Sequence, residues 1–181
     1  MKLAELRNLC ALLLIGALLT GCTLASELAS VGDEGNQAVP GNAPAGESAR
    51  VVYVIDGDTV EVEMGGARYR VRYVGVNTPE SDEPCYADAT RANRAWVDGQ
   101  NVVLVRDRSE TDRYDRLLRY IYLTDGTSIN ERLVREGWAE AVEYPPDTLY
   151  TAQFREIERE ASRAGRGCHP TGIFDDGTQT R

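Results

Sequence analysis

The stretch from Val51 to Val76 limits the fold more than any other part of the chain. Residues 51–55 are a continuous apolar run, Asp56-Gly57-Asp58 is a turn, and residues 59–64 alternate with Val60, Val62 and Met64 on one face. Gly65-Gly66 is the next turn, and residues 67–76 read as one long strand. Turns this short join antiparallel neighbours, so the spacing predicts hairpins. On the third strand Arg72 has the same parity as Val74 and Val76. Side chains two apart share a strand face, so a guanidinium is expected on a face that should be buried. A charge placed there needs a partner or a task.

The rest of the chain supplies elements that cover such a sheet. Residues 86–98 are an amphipathic helix with Tyr86, Ala89, Ala92, Trp96 and Val97 on one side. Val102–Val105 and Leu117–Leu123 are buried strands, and Ile129–Trp138 is a short helix ending near Gly137. After Pro145-Pro146 a helix runs from about Leu149 to Ala164, with its stripe at Tyr150, Phe154, Ile157, Ala161 and Ala164. Five short strands with a helix after the third resemble an OB-type barrel, here with three packed helices. The expected domain is 50–170, and residues 171–181 read as a frayed tail.

The first residues read as an address. Lys2 and Arg7 precede an apolar run of about eleven residues, Leu9 to Leu19. That fits a signal-peptide core and is too short for a bilayer, which needs roughly 20 apolar residues. The run ends Leu19-Thr20-Gly21-Cys22, similar to a bacterial lipobox, with Cys22 as the lipidated residue. The alternative is an ordinary signal peptide with a chance cysteine. The expectation is a signal segment 1–21, then Cys22 and a Gly/Ala/Ser/Pro-rich flexible tether to residue 49. The domain would sit outside the cytoplasm, anchored to a membrane by its acyl chains. Thr23 after Cys22 leans toward an outer membrane, if the cell has one. Cys10 leaves with the signal, so Cys85 and Cys168 remain in an oxidising compartment and are expected to form a disulfide, two buried thiols being the alternative.

Charge and histidine content narrow the chemistry. The chain carries a net charge of −9, which argues against a nucleic-acid partner in bulk, although a phosphate site needs only a local cluster of donors. Of the 20 basic residues only Lys2 is lysine, so Schiff-base chemistry is excluded from a mature protein that has lost its signal. The single histidine, His169, excludes two-histidine metal sites and most Ser–His–Asp arrangements, and is itself expected on the surface without a catalytic role.

Three segments carry chemistry. Asp56-Gly57-Asp58-Thr59 places a carboxylate, Asp58, on a rigid hairpin end, a sound ligand for a hard cation such as Ca2+. Arg72 to Glu80 leads from a guanidinium through Asn77 and Thr78 to a carboxylate after Pro79. Thr111-Asp112-Arg113-Tyr114-Asp115-Arg116 is a charged loop before a buried strand. Together they offer an oxygen-rich metal site, two guanidiniums and one carboxylate. Phosphodiester cleavage asks for that set: water must lose a proton, and cations must meet the charge that gathers on the phosphoryl oxygens.

In order and spacing, residues 50–168 resemble the staphylococcal nuclease (thermonuclease) family. Its signatures are Asp-Gly-Asp-Thr, an Arg leading into Asp-Thr-Pro-Glu, and Thr-Asp-Lys-Tyr-Gly-Arg. The resemblance implies a Ca2+-dependent endonuclease acting on DNA and RNA to give 3′-phosphate products. It implies Asp58, Asn77 and the Thr78 carbonyl around the metal, Glu80 as general base, and Arg72 and Arg116 on the phosphate. Arg113 and Tyr114 would lie near the substrate, and Tyr144 would stack on a base or ring. Asn77 stands where the family has a carboxylate, which predicts weaker Ca2+ binding. Asp115 stands where it has Gly; it either pairs with Arg116 or faces solvent, and the alternation of an extended segment favours solvent. A catalytically silent OB module binding nucleic acid or another polymer is the alternative function. It has no need of a base between two guanidiniums. A purely structural envelope lipoprotein would leave Arg72 unexplained. A monomer is expected.

Overall fold

The computed structural model describes residues 42–175. The expected signal segment, Cys22, most of the tether and residues 176–181 lie outside them. Five strands close a barrel: β1 (Glu47–Val54), β2 (Thr59–Met64), β3 (Ala67–Tyr73), β5 (Asn101–Val105) and β6 (Leu117–Leu123). The order around the barrel is β1-β2-β3-β6-β5, with β5 returning to β1. All pairs are antiparallel except β3 with β6. Three helices accompany it: α1 (Tyr86–Val97), α2 (Ile129–Arg135) and α3 (Thr151–Arg163). The OB-type barrel with three helices is therefore present. Its core is filled by inward residues such as Val60, Val62, Val71, Tyr73 and Ile121.

Two strand limits differ from the sequence reading, and both differences shape the site. Strand β1 starts at Glu47, inside the expected tether. Glu47–Arg50 pair with Asn101–Leu104 and close the barrel seam. Their polar side chains face outward, so they carry no apolar signal. The expected strand 67–76 breaks after Tyr73. Gly75 takes φ 76°, and a Cβ there would meet the Phe154 ring at 3.3 Å. The chain turns and restarts as β4 (Val76–Asn77), paired with β7 (Glu140–Ala141). Parity does not pass through that turn. Arg72 therefore lies between the inward Val71 and Tyr73 and does not share a strand face with Val74 and Val76, although both valines are buried.

Buried polar groups fix these joints. Asn130 accepts from the Ile121 amide at 2.8 Å and donates to the Val74 carbonyl at 2.8 Å, pinning the break to β6 and α2. Ser128 caps α2 by accepting from the Glu131 amide, as its Ser-x-x-Glu spacing favours. Tyr73 donates to Asn93 Oδ1, and Asn93 Nδ2 donates to the Asp56 carbonyl, tying α1 to the β1–β2 turn. Arg119, absent from the sequence reading, is 1% exposed and fully committed: to Glu47 Oε2 at 3.0 Å, to Glu110, and to the Glu110 and Leu118 carbonyls.

Cys85 and Cys168 are joined in a disulfide that spans 83 residues of sequence. It ties the start of α1 to the short 3-10 turn at His169–Thr171. Closing a loop of that length stabilises the folded state by about 4 kcal/mol, chiefly by restricting the unfolded chain. Reduction should lower the urea unfolding free energy by about that amount. Equal midpoints with and without reductant would show that the bridge does not form.

Candidate active site

The site grows from the β1–β2 turn. Gly57 is required there because a Cβ would lie 2.6 Å from Thr78 Oγ1. With that space empty, Thr78 packs under the turn and Asp58 reaches it: Asp58 Oδ2 accepts from the Thr78 amide at 2.8 Å and from Thr78 Oγ1 at 2.9 Å. Asp58 Oδ1 accepts from Thr59 Oγ1 at 3.2 Å and pairs with Arg72 Nε at 3.2 Å. Asp56 Oδ1 takes the Asp58 amide at 3.0 Å.

Arg72 has the partners its position demands. Nη1 donates to the Tyr73 and Val76 carbonyls at 2.8 and 2.9 Å, and Nη2 donates to Asn77 Oδ1 at 2.9 Å. With Nε on Asp58, one N–H of Nη2 is left uncommitted among the described residues. Asn77, 2% exposed, is not placed as the metal ligand expected of it. Its oxygen faces a guanidinium, and its Nδ2 donates to Glu140 Oε1 at 3.0 Å.

Three carboxyl groups crowd this corner. Burial pushes Asp56 up to about 6, and the Asp58 charge adds to the push. Burial and the Asp58 charge also raise Glu80, with Arg72 opposing them. Glu80 is exposed, and its amide donates to Glu83 Oε2 at 2.7 Å. Two carboxyls raised by burial and by the charge of a shared neighbour, Asp58, mark a local shortage of positive charge. A hard divalent cation relieves it, and every donor here is oxygen, so the residues fit Ca2+. Among the described residues no three Asp, Glu, His or Cys side chains form a ready-made cluster. Asp58 and the Thr78 carbonyl would hold such an ion with water completing its shell.

The third segment is a tight turn. Asp112 Oδ1 accepts from the Tyr114 and Arg116 amides at 2.9 and 3.0 Å, and Oδ2 takes Arg116 Nε at 2.7 Å. Burial of Asp112 acts upward, but the donors from Arg116 and Tyr114 outweigh it and hold the carboxyl low. Asp115 sits at φ 60°, the left-handed region that suits Gly and that Asp tolerates. It is exposed, as expected, but because of this turn and not because of an extended alternation. Arg116 pairs with Asp112 instead, and among the described residues its two terminal nitrogens keep their hydrogen-bonding capacity. Tyr114, 55% exposed, lies 4.7 Å from Arg113 Cζ and 5.5 Å from Arg116 Cζ. Arg116 closes the turn just before β6, whose first residue Leu117 is in register with Val71 of β3, so the turn that carries Arg116 enters beside the strand that carries Arg72. Tyr144 is 38% exposed on the loop that Asp147 ties to the Arg108 and Ser109 amides.

Sequence reasoning missed Asp112 as the clamp on Arg116 and Asp56 as a strained carboxyl, although both lie inside its motifs. Glu140 carried no signal, because its burial follows only from the β4–β7 pair. His169 is partly buried, and burial lowers its pKa. It lies on the short turn after Cys168 against Phe174.

The family described as staphylococcal nuclease homologue matches residues 70–168. The chain belongs to that family. It is 42% identical over 115 residues to Endonuclease YncB of Bacillus subtilis (strain 168), covering 59% of this chain and 54% of that protein. It is 36% identical over 124 residues to the Thermonuclease of Staphylococcus intermedius, covering 65% and 73%. It is 39% identical over 115 residues to the SPbeta prophage-derived endonuclease YokF of Bacillus subtilis (strain 168), covering 59% and 38%. The chain thus spans about half the length of YncB and less of YokF. The span matched by the staphylococcal nuclease homologue family holds Arg72, Glu80, Arg116 and both bridged cysteines, while Asp58 lies just before it.

On α3, Glu158 accepts a hydrogen bond from the Ala141 amide of β7. Burial raises its carboxyl to about 6 and the Glu140 charge adds to this, while the Ala141 bond, Arg155 and Arg159 oppose it. A carboxyl raised in the folded state favours folding when protonated and loses that advantage as pH rises from its unfolded value through about 6. Glu158→Gln should therefore stabilise the protein by about 1 kcal/mol at pH 7.5 and leave it unchanged at about pH 3.5, below the unfolded value. Chemical denaturation at the two pH values measures this; an equal gain at both would remove the titration as its cause.

Proposed function

We propose that this chain is a Ca2+-dependent nuclease that hydrolyses phosphodiester bonds in DNA and RNA. The observation that carries the reading is the contrast between its two arginines. Arg72 is locked on Asp58 and on backbone carbonyls beside Glu80. Arg116 is held through Nε alone and keeps a bidentate fork for phosphate. The family's nuclease-named members support it.

The reaction divides among these residues. Arg116 orients the phosphate, and Arg72 supplies a fixed positive pole for charge that develops on its oxygens. Glu80, whose raised pKa brings it nearer to the operating pH, accepts the proton of the attacking water. The water oxygen bonds to phosphorus, the bond to O5′ breaks, and O5′ takes up a proton. The products are a 3′-phosphate and a 5′-hydroxyl. When bound, Ca2+ supplies Lewis-acid polarisation of the phosphoryl group. Arg113 and Tyr114 flank the phosphate side, and Tyr144 offers a stacking surface.

The protein acts outside the cytoplasm as a monomer, lipid-anchored at Cys22. The Cys85–Cys168 bridge supports that compartment, since such bonds persist where the surroundings are oxidising. Cys22→Ser should abolish incorporation of labelled palmitate into the full chain, and undiminished labelling would remove the anchor.

Residues 35–181 form one compact unit that contains every described core residue. That fragment should cleave single-stranded DNA with Ca2+ and lose the activity in chelator. Half-saturation should fall in the millimolar range, because the amide at Asn77 brings no charge to the ion and its oxygen is held by Arg72, leaving Asp58 and the Thr78 carbonyl. Glu80→Gln should lower kcat by about 10²–10⁴-fold with the fold intact. A folded protein that cleaves at no Ca2+ concentration would be the silent binding module instead.

A further inference from the structure

The Arg72 guanidinium is aimed by a residue that no motif contains. Asn77 is buried between a group that can only donate and a group that, ionised, can only accept. Arg72 Nη2 donates to its Oδ1 at 2.9 Å, and Glu140 Oε1 accepts from its Nδ2 at 3.0 Å. Only one orientation of the amide satisfies both. Reversed, it would set Nδ2 against a guanidinium and Oδ1 against a carboxylate. Glu140 is held in place by the antiparallel pair Asn77↔Glu140 and is 6% exposed.

We propose that Glu140 is a positioning residue for Arg72, acting through Asn77, and that Asn77 serves as a strut and not as a metal ligand. Glu140 fixes the amide, and the amide oxygen fixes Nη2. The carbonyls of Tyr73 and Val76 fix Nη1, and Asp58 fixes Nε. The guanidinium plane is then set before substrate arrives. The same geometry explains why an amide stands at position 77. A carboxylate there would face Glu140 across a buried hydrogen-bond distance, and two buried like charges repel strongly.

The kinetic arm rests on the nuclease reading. With single-stranded DNA and saturating Ca2+, Glu140→Leu removes the acceptor and should lower kcat by roughly 10-fold or more, with KM within about two-fold. Glu140→Gln keeps an acceptor oxygen and should recover most of that loss. Equal impairment of the two variants, or none in either, overturns the relay while leaving the nuclease standing. The second arm needs no activity. Thermal unfolding in chelator should show Asn77→Asp lowering Tm by roughly 5 °C in the wild-type background. In the Glu140→Gln background the same change should be neutral or raise Tm, because the new carboxylate keeps Arg72 and gains a donor. The same Tm change in both backgrounds would sink the proposal even if the protein cleaves DNA. A wild-type protein that does not cleave, but shows the reversal, would end the nuclease reading and keep the relay.

Discussion

The ion pair between Arg72 and Asp58 is the contact on which the site depends. Both side chains are nearly out of water, 14% and 7% exposed. Burying two charges costs several kcal/mol per ion unless geometry and further hydrogen bonds compensate. Here both ends are compensated. Each Asp58 oxygen has two partners, and the guanidinium meets three further acceptors. None of these partners is available without the local fold. Thr78 reaches Asp58 only because Gly57 leaves room, and the Val76 carbonyl turns to Arg72 only because the strand breaks at Gly75. The charge pair and the backbone irregularities around it therefore stabilise one another. The result is a cation held still near carboxyls that carry more negative charge than the site comfortably holds.

This also reconciles an acidic protein with the polyanionic substrate proposed for it. The net charge of −9 acts over distance, where salt screens it within about a Debye length of 10 Å. On the proposed nuclease reading, phosphate is met at short range by Arg113 and Arg116 on one turn and by Arg72 on strand β3 beside it. Asp112 makes the clamp selective. It holds the Arg116 backbone and Nε, and it spares the two terminal nitrogens that match phosphate geometry.

Much of this was legible in the sequence, and the limits follow a pattern. The barrel was legible because turn residues and period-two alternation are local signals. Asp58, Arg72, Glu80 and Arg116 stood out as candidates because they sit in three compact motifs, and the fold pairs Asp58 with Arg72 near Glu80. The reading failed wherever a residue's setting depends on a distant segment. Glu47 looked like tether because its strand partner lies at Leu104. The 67–76 run looked continuous because Gly75 bends it to suit Phe154 on α3. Asn77 looked like a ligand because its other neighbour, Glu140, comes 63 positions later. Asp115 was expected to face solvent and does, yet the reason lay in a positive φ that alternation cannot reveal. Arg119 is the sharpest case: a charge inside an apolar run, satisfied by Glu47 and Glu110, neither of which signals burial.

Arg119 and the disulfide explain how the site can remain rigid in a small domain. Arg119 draws the start of β1 and the end of the 106–110 turn onto β6, closing the barrel on the side that carries Arg116. Cys85 lies five positions after Glu80 and binds the segment between them to the short 3-10 turn at His169–Thr171. Glu80 is exposed and has little packing of its own, so its position depends on the ends of its segment. One end is the Thr78 contact with Asp58, and the other is the bridged cysteine at the start of α1. Restraint at both ends leaves the carboxylate open to water and limits how far it can stray from Arg72. On the proposed reading, a general base is placed in this way without full burial, and without the further rise in pKa that full burial would bring.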